Sequence, residues 1–235
     1  QPSIGSLTPI TEVRKCESSK NERTQSKKIA VYVNLIKSMG KYENWHEIES
    51  TLDKMRRKGL IRDSRVYTAA ISSLGSAGKW KEACSLLSYM EKDGLKPCLY
   101  AYSAAINAVG KYGKWIEALE LLEKLQLTGQ KPNEYIWYAV INAFSRGKNI
   151  KGALSTMSAM KASGIDPNLK IYNTVLNGCA WTFDGPSAMD ILIEMKQREL
   201  EIGMNVYRPV IIAVCGSGKF ETGLSLMKEA VSKGE

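Results

Sequence analysis

The sequence predicts an all-α fold, an α-solenoid of two-helix hairpins repeated six times. Three observations predict it: a self-similarity every 35 residues, apolar residues at helical spacing inside each copy, and Gly and Pro at fixed places between the helical stretches. Tyr67-Thr68-Ala69-Ala70-Ile71 aligns with Tyr102-Ser103-Ala104-Ala105-Ile106. Gly78-Lys79-Trp80 falls on Gly113-Lys114-Trp115, and Gly94-Leu95-Lys96-Pro97 on Gly129-Gln130-Lys131-Pro132. Carried in both directions without insertion, the frame gives copies at 29–63, 64–98, 99–133, 134–168, 169–203 and 204–235, the last incomplete.

The first helix of each copy is expected to begin near its fourth residue: Tyr32, Tyr67, Tyr102, Trp137, Tyr172 and Tyr207. Four residues on stand Ile36, Ile71, Ile106, Ile141, Leu176 and Ile211, so each pair shares a helical face and reads as core packing. A turn containing Gly and Lys follows. The second helix is marked by Trp80, Ala83, Leu87 and Met90 in one copy and Trp115, Ala118, Leu122 and Leu125 in the next. Ala83, Ala118, Ala153 and Ala188 recur where a small side chain lets helices cross closely. Gly94, Gly129 and Gly164 suit the left-handed residue that ends a helix, and Pro97, Pro132 and Pro167 prevent its continuation. In the fifth copy Glu199 replaces that glycine and Ile202 the proline, while Pro186 is tolerable in a first helical turn. No single hairpin can bury its apolar face alone, so the copies must stack.

Residues 1–28, rich in Ser, Thr, Lys and Arg, read as a flexible leader or linker with no secretory apolar region. The chain begins at Gln1, which implies a fragment or a processed form, and a removed organellar transit peptide fits that start. No polar capping helix follows the sixth copy, so the array is expected to continue or to join another domain.

Composition narrows function. A hydrophobic share of 44% and a charged share of 24% belong to a foldable chain, not a disordered one. No apolar run reaches the ~18–20 residues that span a bilayer, so no membrane partner is expected. With 33 Lys and Arg against 24 Asp and Glu, the net charge of +9 favours a polyanionic partner. Five cysteines without a Cys-x-x-Cys pair indicate a reducing compartment, and they read as small core or loop residues. The single histidine, His46, reads as a surface or capping residue. Zinc clusters and His-based triads are hard to build, so no metal, cofactor or catalytic residue is assigned and the chain is read as a non-enzyme. Cys215-Gly216-Ser217-Gly218-Lys219 imitates a phosphate loop. Ala213 and Phe220 stand where that motif needs Gly and Ser or Thr, so the segment is a helix–helix turn.

Lys79-Trp80-Lys81-Glu82-Ala83 and Met90-Glu91-Lys92-Asp93-Gly94-Leu95-Lys96-Pro97, within a 35-residue helical hairpin, resemble the pentatricopeptide repeat. The resemblance covers residues 29–235. It implies a right-handed α-solenoid superhelix that binds single-stranded RNA, with roughly one base per repeat. In that family the fifth and last residues of a repeat choose the base. Ser103 with Asn133 then favours adenine, Thr68 with Cys98 leans to a purine, and Asn173 with Gly203 leans to a pyrimidine. Val33 with Asp63, Tyr138 with Asn168, and Arg208 depart from the usual set.

The second residue of each repeat sandwiches bases in the family. Tyr100 and Tyr135 hold that place and either stack on bases or seal the joint between repeats. Arg65 and Lys170 are positioned to stack or to attract phosphate. In the turn, Lys41, Lys111 and Arg146 match a family lysine that approaches the RNA backbone; the plain alternative is a solvated surface charge. The resemblance implies action in processing, stability or translation of RNA in a chloroplast or mitochondrion. Two other roles are a protein-interaction scaffold in an organellar ribonucleoprotein, with RNA-processing or ribosomal proteins as partners, and the RNA-binding arm of a larger enzyme. A deaminase would need His-x-Glu with Pro-Cys-x-x-Cys, and a metallonuclease an aspartate cluster on an α/β domain; neither is present in these 235 residues.

Overall fold

The computed structural model describes residues 25–40, 46–60 and 63–232. Those residues form twelve helices and no strand. They are α1 (25–40), α2 (His46–Arg57), α3 (Ser64–Ser76), α4 (Trp80–Lys92), α5 (Leu99–Lys111), α6 (Trp115–Leu127), α7 (Glu134–Arg146), α8 (Ile150–Ala162), α9 (Leu169–Thr182), α10 (Gly185–Gln197), α11 (Met204–Gly216) and α12 (Phe220–Ser232). Each copy of the 35-residue frame is one hairpin. The leader expected over 1–28 is helical in its last four residues, because α1 begins at 25. Lys41 and the side chain of His46 lie outside the described residues.

From the second copy on, the first helices begin at the first residue of each copy, not near the fourth. The last residue of the preceding copy is the N-cap: Asp63, Asn133 and Asn168 each accept a backbone N–H through a side-chain oxygen, from Arg65, Ile136 and Ile171. Such short acceptors satisfy donors that a helix start leaves orphaned, and this lengthens the helix by most of a turn. Cys98 and Gly203 hold the same place without a side-chain bond.

At the turn inside each hairpin the chain needs one left-handed residue. Gly113 supplies it without strain at φ 67°, whereas Lys148 and Phe183 adopt it at 59° and 55° in the next two repeats. At the end of the hairpin Glu199 is likewise left-handed, at 54°, where Gly94, Gly129 and Gly164 stand in earlier copies. The frame dictates the backbone there even where glycine is missing.

The chain divides into two compact units, residues 1–97 and 98–235. In the first, α3 packs on α4, and Gly40 is held against Ser73. In the second, α5, α7, α9 and α11 pack side by side as one layer. The second helices α6, α8 and α10 each fill the groove between their own first helix and the next one, and α12 lies on α11. Tyr102, Trp137, Tyr172 and Tyr207 are buried between the layers with Ile106, Ile141 and Leu176, and Ala118, Ala153 and Ala188 have no exposed surface. Each large apolar side chain so buried contributes about 1.5–3 kcal/mol. On α12, Phe220, Leu224, Met227 and Val231 form an exposed stripe, although Leu122, Met157 and Leu192, the counterparts of Met227, are buried.

Candidate nucleic-acid interface

In the second unit the residues singled out by sequence fall on the exposed edge of the first helices. Repeat positions two, five, nine and thirteen are spaced by three or four residues and share one helical face. Position two gives Tyr100, Tyr135 and Lys170, all exposed, the two tyrosines at 75% and 72%. Position five gives the half-buried Ser103, Tyr138 and Asn173. Position thirteen gives the exposed Lys111, Arg146 and Trp181. Position nine was missed: Asn107, Asn142 and Asn177 form a column one turn below position five, at the same spacing of 35. Asn142 accepts a bond from Arg146 Nε at 3.2 Å and donates to Gly110 O at 3.5 Å, tying a basic group to the neighbouring helix.

Charge is segregated between the layers. Helices α5, α7, α9 and α11 carry Lys111, Arg146, Lys170 and Arg208, with Glu134 as their one acidic residue. Helices α6, α8, α10 and α12 carry seven acidic residues, Glu117, Glu120, Glu123, Asp190, Glu194, Glu221 and Glu229, against five lysines, Lys124, Lys151, Lys161, Lys196 and Lys228. An edge nearly free of carboxylates attracts a polyanion; the opposite layer does not.

The pairs differ in what they leave available. In the third repeat Ser103 Oγ and Asn133 Nδ2 have no partner among the described residues, while Asn133 Oδ1 accepts from Ile136 N at 3.1 Å. In the fourth, Asn168 Oδ1 accepts from Ile171 N at 3.0 Å and Asn168 Nδ2 donates to Glu134. Lys170 Nζ lies 4.2 Å from the centroid of the Tyr138 ring, a cation–π contact. These residues, with Tyr135 and Ile171, line a pocket of about 160 Å³. In the fifth, Asn173 Oδ1 is buried without a partner, and Gly203 has no side chain to offer.

Thr68 and Cys98 belong to different units. Thr68 Oγ1 donates to Ser64 O at 2.8 Å, and Cys98 is half-buried at the start of α5. Asp63 binds the guanidinium of Arg65, with Nε at 2.9 Å, which holds its carboxyl below the ordinary range. Arg65 thus has the edge of its guanidinium engaged by a carboxylate, while the side chain stays exposed.

The buried tyrosines use their hydroxyls elsewhere. Tyr172 and Tyr207 donate to Glu194 at 2.5 Å and Glu229 at 2.9 Å, and those carboxylates are met by Lys161 and Lys196 of the preceding repeat. Burial pushes Glu194 up, but hydrogen bonds from Lys161 and Tyr172 and the nearby cations outweigh it, leaving the carboxyl below its usual range. In the first unit Tyr67 donates to Asp93, which also pairs with Arg56; burial and that bond push the phenol up to about 12. Trp137 replaces the tyrosine in the fourth repeat, and its indole N–H is buried without an acceptor. Burial pushes the Cys179 thiol up to about 12, so it is an inert core residue. Among the described residues no three His, Cys, Asp or Glu side chains group as a metal site, and no helix is long and apolar enough to cross a membrane. The turn at Cys215–Lys219 links α11 to α12, with Gly218 left-handed at φ 85°.

No curated protein sequence matches the chain. Three family profiles do: the PPR repeat family over residues 132–180, the pentatricopeptide repeat domain over 50–112, and the PPR repeat over 30–60, 100–129 and 170–200. Among solved structures, the pentatricopeptide repeat protein PPR10 from maize is 20% identical with a TM-score of 0.56, covering 86% of this chain and 34% of its own. Nuclear proteinaceous RNase P 2 from A. thaliana is 12% identical with a TM-score of 0.64, covering 79% and 42%. The PPR domain of Arabidopsis thaliana protein-only RNase P 1, solved in complex with tRNA, is 17% identical with a TM-score of 0.56, covering 68% and 86%. The chain thus spans about a third of the maize protein and two fifths of RNase P 2, and at these identities the likeness is one of fold. With profiles matched over most of its length and helices that keep a 35-residue frame, the chain belongs to the pentatricopeptide repeat family.

Proposed function

We propose that this chain binds single-stranded RNA along the exposed edge of its first helices, and so acts in the processing, stability or translation of RNA in a chloroplast or mitochondrion. The observation that carries the reading is that edge itself: rings, hydroxyls, amides and cations recurring once per repeat, with a single carboxylate among them. Exposed Tyr100 and Tyr135 offer stacking worth about 1–3 kcal/mol per base. Ser103 and Asn133 offer a donor and acceptor set for a base edge, and Lys111 and Arg146 a salt-sensitive attraction to phosphate. The work on RNA is occlusion or remodelling, with no bond chemistry inside the repeats. The tRNA complex of the protein-only RNase P 1 repeat domain supports an RNA partner.

Selection from a randomised single-stranded RNA pool at ~0.15 M salt tests it, because weak surface charges are then largely screened. A short motif with adenine at one fixed register is the expected result. Binding that enriches nothing and vanishes as salt rises would reduce the edge to a general cation surface.

A second reading, a protein scaffold in an organellar ribonucleoprotein, is favoured by the exposed stripe of Phe220, Leu224, Met227 and Val231 on α12. Co-purifying proteins that are lost when Met227 is replaced by Lys would support it. As the RNA-binding arm of a larger enzyme, the chain would leave catalysis to other residues, a reading favoured by its span of 42% of RNase P 2.

A further inference from the structure

We propose that the pocket of the fourth repeat takes a guanine, selected by the Glu134 carboxylate; the proposal rests on the RNA-binding reading above. Each polar group of the Asn168 amide already has one partner, Ile171 N and Glu134, and this holds the side chain against the Glu134 carboxylate with one N–H and one lone pair to spare. Tyr138 is likewise engaged, its ring beneath Lys170 Nζ at 4.2 Å. The acceptor that the pocket of about 160 Å³ offers beside these groups is the second oxygen of Glu134, with the ammonium of Lys170 as a donor and the exposed face of Tyr135 as a stacking surface.

Glu134 is the one acidic side chain on the first helices of this unit. A carboxylate facing phosphates repels them, so its place in a groove that binds RNA calls for a ligand rich in donors. Among the four bases only guanine presents two adjacent N–H donors, N1 and the N2 amine, beside an acceptor, O6. A carboxylate accepts through both oxygens and has lone pairs for more than two bonds, so contact with Asn168 does not exclude a bidentate bond to guanine. Lys170 lines the same pocket and is the donor for O6. Adenine and cytosine set a lone pair next to their one donor, and uracil sets acceptors on both sides of its own. Each would point an acceptor at Glu134. A site that sets two acceptor oxygens side by side penalises a ligand that lacks the second donor.

The test uses the whole 235-residue chain and single-stranded RNAs that vary one nucleotide at a time, with affinity read by fluorescence anisotropy. Opposite the fourth repeat, guanine should bind roughly tenfold tighter than the other bases. Inosine, which keeps N1–H and O6 but lacks the N2 amine, should lose most of that gain. Glu134→Gln should abolish the guanine preference and leave the adenine preference at the third repeat unchanged. The inosine arm requires no variant, so a folding defect in Glu134→Gln cannot hide the answer. Equal binding of all four bases at this register, or a guanine preference that survives Glu134→Gln or inosine, would overturn the pocket while adenine at the third repeat kept RNA reading in place. Loss of base preference at every register would overturn both.

Discussion

The third and fourth repeats follow one frame and differ in what their exposed edges leave available. In the third, the Ser103 hydroxyl and the Asn133 amide nitrogen are without partners among the described residues, and the turn is made by glycine at Gly113. In the fourth, Asn168 is held by Glu134, Tyr138 by Lys170, and the turn is forced on Lys148. Even the core differs, since Trp137 takes the tyrosine place and its N–H has no acceptor. The backbone of a repeat is thus dictated by the stack, while its surface chemistry is set locally and can vary by one or two side chains.

The largest way to break the comparison is to push the two repeats apart. A methyl at Gly110 would lie 2.6 Å from Ala139 O, backbone that cannot swing aside. Gly110→Ala should cost about 2–3 kcal/mol in urea unfolding, a loss a surface glycine would not show. Next comes the edge itself: Ser103→Asn should move the proposed preference of the third repeat from adenine toward a pyrimidine, roughly tenfold by anisotropy, without changing thermal stability. An unchanged preference with binding intact would end the proposed role of this pair.

A smaller effect lies where the fourth repeat leans on the fifth through Lys161–Glu194–Tyr172. Because Glu194 titrates below its ordinary range, its contribution is present above about pH 4.5 and is lost as pH falls through the lowered folded value. Glu194→Gln should remove about 1 kcal/mol at pH 7 and flatten that acid-side decline; an equally steep decline would assign it to other carboxylates. The smallest expected change is a gain. Lys148→Gly should stabilise by about 0.5–1 kcal/mol, by relieving a left-handed lysine, measured as a rise in Tm.

Much of the fold was legible because a solenoid writes its period into local sequence. The Tyr and Ile columns, the small alanines and the terminal glycines each report a constraint within one hairpin. The helix starts lie three residues before the tyrosine column because Asn133 and Asn168 cap them, a local signal that the stronger tyrosine periodicity masks. The site was legible only in outline. Glu134 and Asn168 stand 34 residues apart, and their bond depends on the offset between stacked helices, which no local pattern records. The engagement of Tyr138 by Lys170 is hidden for the same reason. The asparagine column at 107, 142 and 177 recurs at the repeat period and is legible in the sequence.

The N-caps at Asn133 and Asn168 have a consequence for how such an array can evolve. One side chain both starts a helix and, on the proposed reading, helps choose a letter of the target. A change of letter there is also a change of cap, worth about 0.5–2 kcal/mol when a good cap becomes a poor one. The residues that can be explored are therefore filtered first by folding and only then by recognition. Asn and Asp pass that filter, which restricts the vocabulary of the array before any RNA is met. Cys98 and Gly203 hold the cap place without a side-chain bond, and on the proposed reading they are the positions where a change of letter would disturb the helix start least.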